Sequence, residues 1–126
     1  MKCITLKPAW AWAVFYAGKD IENRTWGTSY RGPLAIHASA SIASADDDAE
    51  VIKRICGVDV PIELQCGAVV GVVDLVDVAL DFRSRWYSPG LIGWKLAKPS
   101  ACAPVDVKGK LGLWEFPETK IILDKP

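Results

Sequence analysis

The chain is poor in the residues from which metal and acid–base sites are most often built. It has one histidine and four cysteines in 126 residues. Cys3, Cys56, Cys66 and Cys102 lie too far apart for the short Cys-x-x-Cys type spacing of a zinc site. Four reduced, mostly buried thiols are expected, with no metal and no cofactor. Net charge is missing too: fifteen basic residues cancel fifteen acidic ones. That argues against a duplex-DNA binder working by bulk charge, so any nucleic-acid contact must come from a local patch or pocket. No apolar run approaches the roughly 20 residues of a membrane-spanning helix. The opening "MKCITLKPAW" lacks the apolar stretch and small-residue cleavage site of a secretion signal. A cytoplasmic protein with no membrane partner is expected. There is no G-x-S-x-G elbow, no G-x-x-x-x-G-K-[ST] loop and no G-x-G-x-x-G turn. Nothing in the sequence fixes an oligomeric state.

Apolar residues, by contrast, are abundant. They make up 51% of the chain, and six residues are tryptophan. This is enough for one packed core, and residues 1–126 read as a single domain. "CITLK" (3–7) alternates as a first strand. Pro8 then stands where a helix would begin, and "AWAWAVFYA" (9–17) is apolar on every side, as in a buried helix. Gly18 ends it. A strand is expected over about 20–26, another at "PLAIHAS" (33–39), and a long valine-rich one over 67–80. Ser44, the acidic run Asp46, Asp47 and Asp48, and the stripe Val51, Ile52 and Ile55 predict a helix ending at Gly57. "LIGWKLA" and "APVDVKGKLGLWEF" read as separate closing strands with a turn near "KGK". About six strands and two or three helices favour an α+β domain on a curled sheet or small barrel. Trp10 or Trp12, Val70, Val72, Leu113 and Trp114 are expected to share one core.

"GKDIENRTW" (18–26) places five charged or amide residues, Lys19, Asp20, Glu22, Asn23 and Arg24, directly after the apolar helix. On a strand, Asp20, Glu22, Arg24 and Trp26 share one side. A salt-bridged edge strand would account for this. So would the wall of a polar cleft, with Lys19 and Arg24 as cations, Glu22 as acceptor or base, and Trp26 as a stacking face. His37, in "LAIHAS", reads either as a hydrogen-bonded core residue or as a site residue beside Ser39. Asp74 and Asp77 differ by three, so they point to opposite faces of a regular strand. One is then expected to be buried and to need Lys19 or Arg24 as a partner. "RSRWYSPG" interleaves arginines with aromatics (Arg83, Arg85, Trp86, Tyr87). It is either an ordinary anchored loop or a stacking surface for single-stranded nucleic acid, with Trp26 and Trp86 as the exposed tryptophans.

Taken together, "LKPAWAWAVFYAGKDIENRTW", "YRGPLAIHAS", "GAVVGVVDLVDV", "GWKLAKP" and "VKGKLGLWEF" resemble the ASCH domain, a branch of the PUA-like superfamily. The resemblance spans nearly the whole chain. It implies a PUA-like small β-barrel of about six strands flanked by two or three helices, with a cleft beside the first helix. It also implies binding of single-stranded RNA or a modified nucleoside. One branch acts as a ribonuclease, which here would be metal-independent, and another as an amidohydrolase on acetylated cytidine. A non-catalytic interaction module is the further alternative. The catalytic residues implied or expected are Lys19, Glu22, His37 and Asp74. Those for binding are Trp12, Arg24, Trp26, Arg31, Ser39, Arg85 and Trp86. The chain departs from the deacetylase branch, which resembles Lys-x-x-Thr followed by a later glutamate. Glu22 stands at the threonine's place, the later acid is Asp74, and Thr25 is three residues out of register.

Overall fold

The structure is a computed structural model, and it describes residues 1–124. It is α+β: a six-stranded mixed sheet with two helices packed on it. The strands are β1 (Lys2–Leu6), β2 (Ile21–Arg24), β3 (Gly32–Ala38), β4 (Ala68–Ala79), β5 (Ile92–Asp106) and β6 (Trp114–Glu115). The helices are α1 (Pro8–Tyr16) and α2 (Ala45–Cys56), with a short 3₁₀ turn at Glu118–Lys120. The strand order is β2-β5-β4-β3-β1-β6. β1 and β3 run parallel, and the other neighbours are antiparallel.

α1 starts at Pro8, where a missing backbone donor costs nothing. It is apolar all round because both of its sides are covered. Ala11 and Val14 pack towards the sheet with Ile4, Leu34, Val73 and Trp94. Ala9, Ala13 and Ala17 pack against Ile52 of α2 and Trp86 of the loop before β5. The alanines let these layers approach closely. α2 is amphipathic: Ile52 is buried, and the three aspartates of its first turn and Lys53 and Arg54 of its last complement the helix dipole.

The closing segment differs from the sequence expectation. "LIGWKLA" and the residues after it form one strand, β5, that runs through Pro99. The ladder with β4 shifts register between Val72 and Asp74, and Lys98 takes a left-handed φ of 51° there. A bulge leaves a residue unpaired, so proline's missing N–H breaks no ladder bond there.

The barrel implied by the resemblance is not closed. No ladder joins the edge strands β2 and β6, and β1 is already occupied on both sides by β3 and β6. The expected single core is divided as well. Trp10, Val70 and Leu113 pack against the main cluster, whereas Trp114 belongs to a second one with Cys3, Val69, Cys102 and Phe116. Val72 is half-buried outside both. Val72 alternates with its buried neighbours Gly71 and Val73, while Val70, the extra residue that β4 inserts opposite Ile36 and His37, packs on the main cluster.

Candidate functional site

A cleft of about 400 Å³ opens where α1, β2, α2 and the loop before β5 meet. Its floor is the charged segment after α1. Gly18 has φ 74°, a left-handed conformation that glycine adopts freely. The Ala13 carbonyl accepts from the backbone N–H of both Ala17 and Lys19, which fixes the turn. The turn carries the Lys19 side chain inward, and only 4% of the residue stays exposed. Its ammonium donates to the Ile21 carbonyl, lies 3.2 Å from Glu22 Oε1, and sits 5.5 Å from the centre of the Trp10 ring.

Glu22 and Arg24 share a face of β2, as period two requires. Arg24 Nε lies 3.0 Å from Glu22 Oε2, so one carboxylate faces two cations. That contact is an ion pair without hydrogen-bond alignment, and the buried Nε–H has no acceptor among the described residues. Arg24 Nη2 donates to the Thr5 carbonyl on β1 at 2.7 Å. The sheet is curled enough for this side chain to bridge β2 and β1, which no backbone ladder joins.

The loop 80–91 forms the opposite wall. Asn23 holds it from β2: its Nδ2 donates to the Trp86 carbonyl, and its Oδ1 accepts from the Ser88 N–H, each at 2.9 Å. Ser84 donates to Asp20 at 2.5 Å and accepts from the Trp86 N–H. Tyr87 hydroxyl lies between the Leu80 and Leu91 carbonyls. The loop is therefore anchored, and Trp86 is 5% exposed, packed against α1. The expectation of an exposed Trp86 is corrected on this point, although the residue still lines the cleft.

Lys7 and Arg85 are exposed on the cleft wall and make no ion pair among the described residues. With Lys19 and Arg24 they place four cations around one carboxylate, Glu22. The chain as a whole is neutral, so the cleft concentrates positive charge.

Other expected site residues lie elsewhere. Trp26 is half-buried, packed edge-on against Trp94 at 4.9 Å, and is not part of the cleft wall. Trp12 packs beside Tyr16 on the far side of α1. Arg31 holds its own loop, donating to the Thr28 and Tyr30 carbonyls, and stands 4.0 Å from Asp77. Asp77 is exposed and Asp74 half-buried, and the cations Lys19 and Arg24 pair with Glu22. The expected buried aspartate is thus absent, because β4 inserts Val76 between Leu75 and Asp77 and so breaks the alternation between the two aspartates.

His37 is buried in β3 beside a second depression, which Ser39 also lines. Val107 carbonyl, an acceptor only, lies 2.7 Å from Nε2, so that nitrogen carries a proton. In the neutral ring, Nδ1 then accepts from the Thr5 hydroxyl at 3.2 Å, and that oxygen accepts from Trp114 Nε1. Both ring nitrogens are engaged.

Sequence reasoning missed Lys7, the half-buried Trp10 and the anchoring role of Asn23. The run "IENR" offered the signal for Asn23: it is the one amide between the two charged residues. No family model matches the chain. Over 80 residues it is 31% identical to human activating signal cointegrator 1. The matched stretch is 60% of this chain and 14% of that protein, so the likeness concerns a small part of the relative.

Proposed function

We propose that the chain is a single ASCH-type domain of the PUA-like kind, and that its cleft binds a base of single-stranded RNA. The observation carrying this reading is the Lys19–Glu22–Arg24 network on the floor of a cleft that also presents Trp10 and the exposed cations Lys7 and Arg85. The Glu22 carboxylate keeps lone pairs free to accept from an exocyclic base amine. Trp10 supplies a stacking surface worth roughly 1–3 kcal/mol per base. Lys7 and Arg85 attract the phosphate backbone. The sequence motifs and the partial likeness to the human protein support the same assignment.

Binding is preferred to RNA cleavage because both Glu22 oxygens already face cations and both His37 nitrogens are engaged. A second reading, amide hydrolysis on an acetylated nucleoside, draws on one feature: a buried ammonium 3.2 Å from a carboxylate in a cavity of nucleoside size.

The test is titration of labelled single-stranded RNA at low salt into wild type, Lys7→Ala and Arg85→Ala, alongside an acetylcytidine hydrolysis assay. The binding reading expects affinity for RNA that falls about 5- to 10-fold in each variant, and no turnover. Absence of RNA binding at low salt, or unchanged binding in both variants, overturns it. Acetylcytidine turnover abolished by Lys19→Ala would establish the hydrolytic reading instead.

A further inference from the structure

The second depression adjoins the cleft. Its volume is about 420 Å³, and it shares Thr5 and Arg24 with the first. Its outer wall is the loop Lys108–Gly112. Gly109 is pressed onto the fold: a Cβ there would stand 2.7 Å from the His37 ring and 2.9 Å from the Thr5 hydroxyl. Any larger residue would push the loop away, so glycine holds its backbone down while Lys108 and Lys110 on either side remain exposed. Lys110 lies over the Trp114 ring, and neither lysine has an ion-pair partner among the described residues.

Among the described residues, the charged ones across the two depressions are Lys7, Lys19, Arg24, Arg85, Lys108 and Lys110 against Glu22 alone. The whole chain has fifteen of each sign. Six of its cations but one of its acids therefore line one continuous surface, with Arg24 at the junction. A single nucleoside needs only the first cavity and carries no charge to match the second.

We infer that the two depressions form one track, and that the ligand is a single-stranded oligonucleotide. One base sits in the cleft, the adjoining phosphate lies near Arg24, and the next two phosphates lie against Lys108 and Lys110. This rests on the cleft being a base-binding site and adds the path of the strand. Opposite charge close to a phosphate provides the attraction, and it makes affinity depend on salt and ligand length.

The experiment measures binding of a mononucleotide and of an eight-residue single-stranded RNA over a range of salt. The proteins are wild type, Lys108→Gln/Lys110→Gln, Arg85→Ala, Lys7→Ala and the exposed control Lys120→Gln. The track expects the double variant to bind the oligonucleotide at least 5-fold more weakly while holding the mononucleotide as wild type does. Its slope of log affinity against log salt should become shallower by roughly 1.4, the value for two lost single-strand phosphate contacts. Lys120→Gln should behave as wild type. If the double variant keeps wild-type oligonucleotide affinity and slope while Arg85→Ala weakens it, the track is overturned and the cleft reading stands. If Arg85→Ala, together with Lys7→Ala, has no effect on either ligand, the cleft reading fails and the track fails with it. Thermal midpoints of the variants, all at exposed positions, verify that each is folded.

Discussion

Two carboxylates in this protein each bridge two cations, and they differ chiefly in burial. Glu22 lies between Lys19 and Arg24 in the cleft, with 14% of its side chain exposed. Glu115, on β6, lies 2.8 Å from Lys2 Nζ and 3.4 Å from the Met1 amine at the sheet edge, with 67% exposed. At the edge, water reaches Lys2 and Glu115, and the loss of either charge is absorbed by solvent and salt. In the cleft, Lys19 has almost no access to water, so its charge depends on Glu22. The same arrangement is thus dispensable in one place and obligatory in the other. The obligatory one lies on the floor of the proposed binding site.

Neutralising each carboxylate in turn is the most direct way to break this comparison, and it carries the largest expected effect. Glu22→Gln keeps the shape but leaves the Lys19 ammonium buried without a counter-charge. It should cost towards the lower end of the roughly 3–5 kcal/mol seen when one partner of a buried pair is removed. Glu115→Gln should leave the urea midpoint at neutral pH close to wild type. Equal losses from the two substitutions would show that burial does not distinguish the networks.

The difference in burial could not be read from the sequence, although much around it could. The apolar length of 9–17, Pro8 before it and Gly18 after it placed α1, and period two placed Glu22 and Arg24 together. Local pattern says nothing of which residues return from a distance. The Arg24 bond to Thr5 joins strands with no shared ladder. The Asn23 grip on 86–88 turns a polar loop into a packed one and buries Trp86, while Trp26 is drawn onto Trp94. Bulges were equally hidden: one carried β5 through Pro99, and another, at Val76, left Asp77 exposed. In each case a contact distant in sequence overrode a local preference.

Exchanging the cations sharpens the comparison at a smaller scale. Arg24→Lys keeps the charge beside Glu22 but removes the planar fork that also reaches the Thr5 carbonyl. A charge-assisted hydrogen bond of this kind is worth about 1.5–3 kcal/mol. A loss of that order in urea denaturation is expected, whereas Lys2→Arg at the edge should be silent. A silent Arg24→Lys would mean that charge alone, without the link between β2 and β1, holds the cleft.

The alkaline limb probes the residue buried behind the edge network. Cys3 is fully buried next to Lys2, and burial pushes its thiol up to about 12, from an ordinary value of 9.0. The unfolded chain ionises this thiol first. Its contribution to stability is therefore whole below pH 9 and is lost as pH rises towards about 12. Burial raises Cys102 as well, with the Asp124 charge adding to it, and this acts in the same direction. At about pH 10, one unit above the unfolded value, Cys3 should account for about 1 kcal/mol of the loss. Cys3→Ala should be less stable than wild type at neutral pH, through the cavity it leaves, yet show a flatter decline from pH 8 to 10. Parallel declines in the two proteins would remove Cys3 from the alkaline limb.

The smallest effect belongs to the edge network itself. The hydrogen bond from Lys2 is the first cause that holds the Glu115 carboxyl below its ordinary value, and the charges of Lys2 and the terminal amine add to it. A depressed carboxyl stabilises the fold above its unfolded value and loses that contribution as pH falls through the folded one. The window is therefore acidic, below about 4.5. The same hydrogen bond raises Lys2, whose contribution is present up to its ordinary 10.5 and is lost as pH climbs beyond. Glu115→Gln removes both limbs together. Its thermal midpoint should fall slightly less than that of wild type between pH 6 and 3 at low salt. In about 1 M salt, where screening acts over roughly 3 Å, the two proteins should decline alike. The deficit from Glu22→Gln, set by burial, should survive the same salt. An acid decline identical in wild type and Glu115→Gln at low salt would show that the edge carboxylate gains nothing from its two cations. A salt-sensitive Glu22→Gln deficit would show that the cleft network is wetter than its geometry implies.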